Sequence, residues 1–327
     1  MTSAPDSVAL LVLTYGARAH LLGRVLDAAK NGSVAPASIL IVDNGCQQPV
    51  AVDSDGAISV ECTRSETNLG SAGGYHLGLA KLLENPSWSH VWILDDDNLP
   101  AKGCLEQLLR FQKGLAEGSI GIAHRPDRRE FLELVRNGGQ FPPRPHSYQA
   151  FSVRDLMRGR FRKAPTPIGE SIPMFAFGYG GALVPRAALQ DGNCLPDPRL
   201  FLYHDDSDWS WRLGKAGFHA FLCQSATIED IDAPWGGFVR NGASPLFSKQ
   251  TDPRKLWYSL RNRAWLERNM GFAGLRHDIN AALWIALMSM RTFLAERSPR
   301  QILTRTRIAW RAYRTGDAGR LDPWPFG

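Results

Sequence analysis

The chain has few cysteines, and none of them suits a scaffold. There are five in 327 residues, Cys46, Cys62, Cys104, Cys194 and Cys223. The number is odd and no pair has C-x-x-C spacing, which argues against a disulfide framework or a zinc site and for a reduced, cytoplasmic chain. Long hydrophobic runs are also missing. The longest late one, Ala281 to Met290, is half of the roughly 20 residues that a membrane-spanning helix needs. Met1 to Asp6 lacks the basic region of a signal peptide. The expectation is a soluble protein, or one held peripherally at the inner face of the plasma membrane. Neither zinc-finger spacing nor an RNA-binding signature is present, so the formal charge of +6 and pI near 9.2 do not point to nucleic acid. That basic balance suits anionic ligands or an anionic membrane surface. There is no internal repeat and no low-complexity tract.

What is present is a series of short apolar runs, each ending in polar residues. Val8 to Leu13 ends at Thr14-Tyr15-Gly16, Ile39 to Val42 at Asp43-Asn44-Gly45, and Val91 to Leu94 at Asp95-Asp96-Asp97. Continuous apolar runs of this length read as strands buried on both faces. Stretches with helical spacing alternate with them: Leu21 to Ala29, about Gly74 to Leu83, and Leu105 to Leu115. Strand–helix alternation implies right-handed βαβ units, hence an α/β fold with a mostly parallel, Rossmann-like sheet flanked by helices. In such a sheet Thr14, Asp43 and Asp95 share the carboxyl edge, where ligands bind.

Three adjacent carboxylates repel one another unless a cation joins them, and hard oxygen donors suit Mg²⁺ or Mn²⁺. A solvated acidic turn is the competing reading of this stretch. Alternation along the strand predicts Asp95 and Asp97 on one face, for a metal, and Asp96 on the other, for a sugar hydroxyl. Asn68-Leu69-Gly70-Ser71-Ala72-Gly73-Gly74 precedes a helix, where small residues let backbone approach a phosphate or sugar. It does not match a dinucleotide fingerprint, which directly follows the first strand. Gly180 and Gly181 lie in a second glycine-rich stretch that predicts a strand and turn close to a ligand.

Asp205, Asp206 and Asp208 open another predicted helix. Acids there act as caps and dipole partners, and Asp208 can pair with Arg212. A cap does not need three acids, so one is also a candidate general base. From His124 to Lys163 the chain is arginine-rich and broken by prolines, which reads as a partly irregular insert, either a solvated surface or an anion-contacting loop. From residue 254 the sequence is helical and basic. Its interleaved arginines and tryptophans fit either a packed helix with a charged outer face or a face lying on a membrane. This divides the chain into a catalytic domain, 1–253, and a C-terminal helical region, 254–327.

Taken in order, Thr14-Tyr15, Asp43-Asn44, Asn68-x-Gly70-x-x-Gly73-Gly74, Asp95-Asp96-Asp97, Gly180-Gly181, Asp205-Asp206-x-Asp208-x-x-x-Arg212 and Tyr258-x-x-Arg261-Asn262 resemble the inverting nucleotide-sugar glycosyltransferases of family 2, with the GT-A fold. The resemblance covers about residues 8 to 265. It implies that Thr14, Tyr15 and Asp43 form the nucleoside pocket, with Asn68, Gly70, Gly73 and Gly74 beside the donor. Asp95 and Asp97 would hold Mn²⁺ or Mg²⁺, and Asp96 would contact the ribose. Asp206 matches the catalytic base, and Asp205 replaces the usual Glu before it. Within the family, the triple aspartate and Asn-x-Gly-Ser-Ala-Gly-Gly look most like bacterial galactofuranosyltransferases, with rhamnosyltransferases as near neighbours. The implied donor is UDP-galactofuranose, then dTDP-rhamnose. The implied acceptor is a hydroxyl of a cell-surface or lipid-linked glycan. A non-catalytic sugar- or cation-binding module is the alternative of another class. Many members place a metal-binding His after the strand that follows the base helix. Here that region offers Glu229, Asp230 or Asp232 instead. The QxxRW motif of processive members is absent, which implies one or a few additions.

Overall fold

The computed structural model describes residues 7–52, 57–140, 142–154, 171–190, 194–232 and 244–315. Two compact units emerge. The first comprises Met1–Phe141, Ala164–Pro198 and Asp206–Ala233, and the second Pro142–Lys163, Arg199–Asp205 and Pro234–Gly327.

The first unit carries an α/β sheet. Its strands are β1 (Val8–Thr14), β2 (Ser38–Asn44), β3 (Ser59–Ser65), β4 (His90–Asp95), β5 (Asn98–Pro100), β6 (Ile120–His124), β7 (Ile172–Met174), β8 (Ala182–Pro185) and β9 (Ala220–Asp230). They run in the order β3-β2-β1-β4-β8-β6-β9-β5, with β7 also on β9. β3, β2, β1 and β4 are parallel, while β8 is antiparallel to both β4 and β6. Alternation feeds two cores. Ala9, Leu11, Val91 and Ile93 pack on one face of the sheet, and Leu10, Val12, Trp92 and Leu94 on the other.

Helix α1 (Ala19–Lys30) follows β1, and α2 (Gly70–Leu83) follows β3. α2 begins a turn earlier than its apolar pattern predicts. Gly70, at φ 73°, opens it, and its first residues are glycine and alanine, which carry no periodic apolar signal. α3 (Cys104–Lys113) and α4 (Arg129–Arg136) come next. α4 gives regular structure to the start of the arginine-rich stretch, whose residues 155–163 lie outside those described. α5 (Asp205–Lys215) precedes β9.

The second unit is built on α6 (Pro253–Asn269), α7 (Leu275–Glu296) and α8 (Pro299–Arg314). These helices share a core of their own around Tyr148, Phe247, Leu260, Ile285, Ile308 and Tyr313. At its centre Glu267 accepts from Arg263 Nε (2.6 Å) and the backbone N–H of Gln149 (3.1 Å), with His277 Nε2 2.8 Å away.

Candidate active site at the carboxyl edge of the sheet

β1, β2 and β4 end together, with Leu13 in register with Asp95 and Thr14 with Asp43. The three ends are wired differently. Asp43 is fully buried and accepts from the N–H groups of Cys46 (2.8 Å) and Val50 (3.3 Å) and from Arg64 (2.8 Å). Burial alone would raise its pKa, but these donors hold the carboxyl below its ordinary range. Thr14 Oγ1 donates to Asp96 at 2.7 Å. Tyr15 is exposed, with the Arg18 guanidinium 5.3 Å from its ring centre.

Strand alternation does not support the expected split of the triple aspartate. β4 stops at Asp95, and a turn follows, so strand alternation no longer applies to Asp96 and Asp97. Both face Arg18: its Nε lies 2.9 Å from Asp96 and its Nη2 2.7 Å from Asp97. Asp95 instead accepts from the buried Tyr75 hydroxyl at 2.5 Å. Burial raises the Asp96 carboxyl to about 7 and also raises that of Asp97, where the Asp95 charge adds to the effect.

β9 supplies more acid to the same place. Asp230 lies opposite Asn98 across the β5–β9 pair and accepts from it at 2.9 Å. Arg128 pairs with Asp230, and Arg125 is 3.5 Å from it. Asp232 reaches Arg18 at 3.1 Å. Glu229 does not join them. It is exposed, and alternation turns it to the opposite side of β9 from Asp230. Of the three acids offered in place of the missing His, Asp230 and Asp232 are the two at the cluster.

Among the described residues the cluster brings the carboxylates of Asp95, Asp96, Asp97, Asp230 and Asp232 together with the guanidiniums of Arg18, Arg125 and Arg128. The arginines were not identified from sequence. Arg18 gave only one signal, its place in the loop after the first strand. Arg125 and Arg128 were hidden in a stretch that also reads as solvated surface. Arg125 is in fact buried, donates to Asn98 (2.8 Å) and to the Gly180 carbonyl (3.0 Å), and leaves its Nε–H without a partner.

Gly180 is the joint of this arrangement. A Cβ there would fall 1.8 Å from Asn98 Oδ1, 2.3 Å from Arg125 Nη2 and 2.8 Å from Asp95 Oδ2. Gly181 next to it has φ 91°. Beyond them opens a cavity of about 410 Å³, lined by Asp206, Arg125, Arg128, Phe131, Gln140 and Gly178 among others. Burial raises the Asp206 carboxyl, and the Asp95 charge pushes the same way. Asp208 does not face this cavity. It takes the expected partner Arg212 at 2.8 Å, while Asp205 is the buried first residue of α5.

Other glycines of the expected donor site serve packing. A Cβ on Gly74 would meet Leu13 at 2.5 Å, and one on Gly73 the Leu69 side chain at 2.7 Å. Asn44 and Asn68 tie the end of β2 to the start of α2 through the Leu69 N–H and the Gly70 N–H and carbonyl. The Arg261-Asn262 pair belongs to the second unit. Asn262 Nδ2 lies 2.6–2.8 Å from the carbonyls of Leu200, Leu202 and Tyr203. It holds a segment in which Phe201, Tyr203 and His204 all have φ between 57° and 67°. That segment runs directly into Asp205.

A comparison with curated proteins finds no match. Among solved structures, residues 1–349 of S. aureus TarS align over 94% of this chain and 80% of that one, at 11% identity and TM-score 0.53. GalNAc-T7, solved with UDP, GalNAc and Mn²⁺, aligns over 81% of this chain and 48% of its own, at 14% identity and TM-score 0.53. A longer TarS chain aligns over 88% of this chain at 11% identity and TM-score 0.47, and only 43% of its length is spanned. Likeness at this identity establishes a shared GT-A-type α/β fold. The family model described as Glycosyltransferase like family 2 matches residues 5–266, so the chain belongs to that family.

Proposed function

We propose that the chain is an inverting glycosyltransferase that moves a sugar from a nucleoside diphosphate to a glycan hydroxyl, with Asp206 as the base. The observation that carries this reading is the adjacency of two unlike acidic features at one sheet edge. One is the carboxylate cluster at the ends of β4 and β9. The other is Asp206, facing a cavity on the far side of Gly180. A donor bound at the cluster and an acceptor in the cavity would meet over Gly180.

The donor set fits a hard divalent ion. Among the described residues it offers carboxylate oxygens from Asp95, Asp97, Asp230 and Asp232. Among the described residues no group of three ligating side chains is already converged. Asp95 and Asp97 would hold the ion, and Asp230 and Asp232 are the acids nearest to supplement them. When bound, it would offset the negative charge that builds on the departing diphosphate.

The remaining work falls to the protein's own groups. Thr14 and Arg18 orient Asp96, the side chain we assign to a ribose hydroxyl. Arg125, which lines the cavity, adds positive charge beside the place proposed for the diphosphate. Asp206, its pKa raised by burial, accepts the proton of the acceptor hydroxyl as that oxygen attacks the anomeric carbon. The bond from that carbon to the diphosphate breaks on the opposite side, and the configuration inverts.

The donor we assign is UDP-galactofuranose, with dTDP-rhamnose the competitor, and the acceptor a cell-surface or lipid-linked glycan. Titrating UDP and dTDP with and without Mn²⁺ tests the donor site. Asp97→Ala is expected to remove the metal-dependent part of nucleotide binding. Asp206→Asn is expected to keep nucleotide binding and lower transfer by about 10²–10⁴-fold. Nucleotide binding that ignores Asp97 would remove its metal role, and undiminished transfer in Asp206→Asn would remove the base.

A further inference from the structure

The long helix α7 is built the wrong way round for a helix in water. Its buried side carries His277, Asn280, Ser289 and Thr292 beside Ala281, Ile285 and Met288. Its outer side carries Leu275, Ile279, Leu283, Met290, Phe293 and Leu294, all exposed, Leu275 to 75% and Leu294 to 67%. At about 100° per residue these six fall within an arc of about 100° that runs the length of the helix. Single exposed leucines are ordinary, but a continuous stripe of six is an interaction face.

The flanks of the stripe are basic. α8 packs beside α7, and Thr306 Oγ1 donates to Ser289 at 2.7 Å between them. The exposed side of α8 presents Arg300, Leu303, Arg307, Trp310, Arg311 and Arg314, which recur at helical spacing. Residues 275–315 hold eight arginines against two acids, a surplus of six that equals the net charge of the entire chain. Of these arginines only Arg305 is turned inward, donating to the Leu246 and Thr251 carbonyls.

We propose that the outer face of α7 and α8 lies flat on an anionic lipid bilayer. The apolar stripe would enter the boundary between headgroups and acyl chains while the arginines meet lipid phosphates and Trp310 sits at the headgroup level. Charge selects this occupant. A second copy meeting the first through the same face would set its exposed arginines against those of the first, whereas an anionic surface neutralises them. None of the described helices is long and apolar enough to cross a membrane, so the contact is interfacial. This inference stands apart from the catalytic reading and uses none of its residues.

Sedimentation of the full chain with phosphatidylglycerol–phosphatidylcholine vesicles, and with phosphatidylcholine alone, tests it. Binding is expected to the anionic vesicles and to weaken with salt. The double variant Leu283→Glu/Met290→Glu and the double variant Arg300→Glu/Arg307→Glu are each expected to bind them about tenfold or more weakly. Both pairs are exposed, so an unchanged circular dichroism melt is expected to separate lost binding from lost folding. Failure to bind anionic vesicles would overturn the proposal, as would binding that neither variant weakens. A dimer in solution that Leu283→Glu/Met290→Glu dissociates would assign the face to a second copy instead.

Discussion

The two units each hold a charged network, buried in the second unit and partly exposed in the first, and the networks are finished to different degrees. In the second unit, Glu267 is completely buried and its two oxygens are shared among Arg263, His277 and the Gln149 N–H. Tyr313 completes the group, lying 3.0 Å from His277 and donating to Asp278 at 2.5 Å. In the first unit, the carboxylates of the cluster share Arg18, Arg125 and Arg128, and Arg125 keeps an unused N–H. Buried charge is tolerated only when paired and hydrogen-bonded. A closed network therefore serves the fold, whereas the open one is the place where the proposed donor and metal would bind.

The largest expected effect follows from closure. Glu267→Ala would leave Arg263 and the Gln149 N–H without their acceptor inside a packed core. We expect a loss of about 3–5 kcal/mol in denaturant unfolding. Mn²⁺ and UDP should not restore it, because the site proposed for them uses none of these residues. Restoration by either would mean that the two networks are coupled.

Arg18→Gln probes the open network and should act oppositely. It removes one cation from Asp96, Asp97 and Asp232, with an expected cost of about 1–3 kcal/mol in the presence of a chelator. The cluster then carries one more unit of net negative charge. Mn²⁺ should accordingly raise the melting temperature of Arg18→Gln by more than that of the unaltered chain. An equal rise in both would show that Arg18 and the metal do not share these carboxylates.

The difference between the networks also explains what could be read from sequence. The parallel part of the sheet was legible because β1, β2 and β4 are buried on both faces and are therefore continuously apolar up to their polar ends. The first acidic cluster was legible because it sits where such a run stops. The division of Asp95, Asp96 and Asp97 between two faces was not, because the pleat ends at Asp95. Arg18, Arg125 and Arg128 were also illegible as site residues. Their partners, Asp96, Asp97, Asp230 and Asp232, are contributed by other segments, and an arginine about to be buried by a distant acid looks in sequence like any surface arginine. The role of Asn262 was hidden for a similar reason. It serves carbonyls about 60 residues away, in a segment whose left-handed backbone has no glycine to announce it.

That segment yields the smallest effect. Burial, reinforced by the Arg263 charge, presses the His204 imidazole down to about 3. A histidine with a depressed folded pKa is neutral in the fold and charged more readily once unfolded. Its contribution is therefore intact above about 6.5 and is lost as pH falls from there toward 3, by up to about 1.4 kcal/mol per pH unit. Asp43, whose carboxyl is held low by its donors, loses its own contribution only below about 3.8, so the interval from 6.5 to 4 separates the two. His204→Asn keeps a residue type that tolerates φ 57° and removes the titrating ring. Unfolding free energies measured across that interval should fall less steeply in His204→Asn than in the unaltered chain. Parallel pH profiles would mean that His204 reaches solvent, and that the chain leading into Asp205 is held by Asn262 without any contribution from the ring.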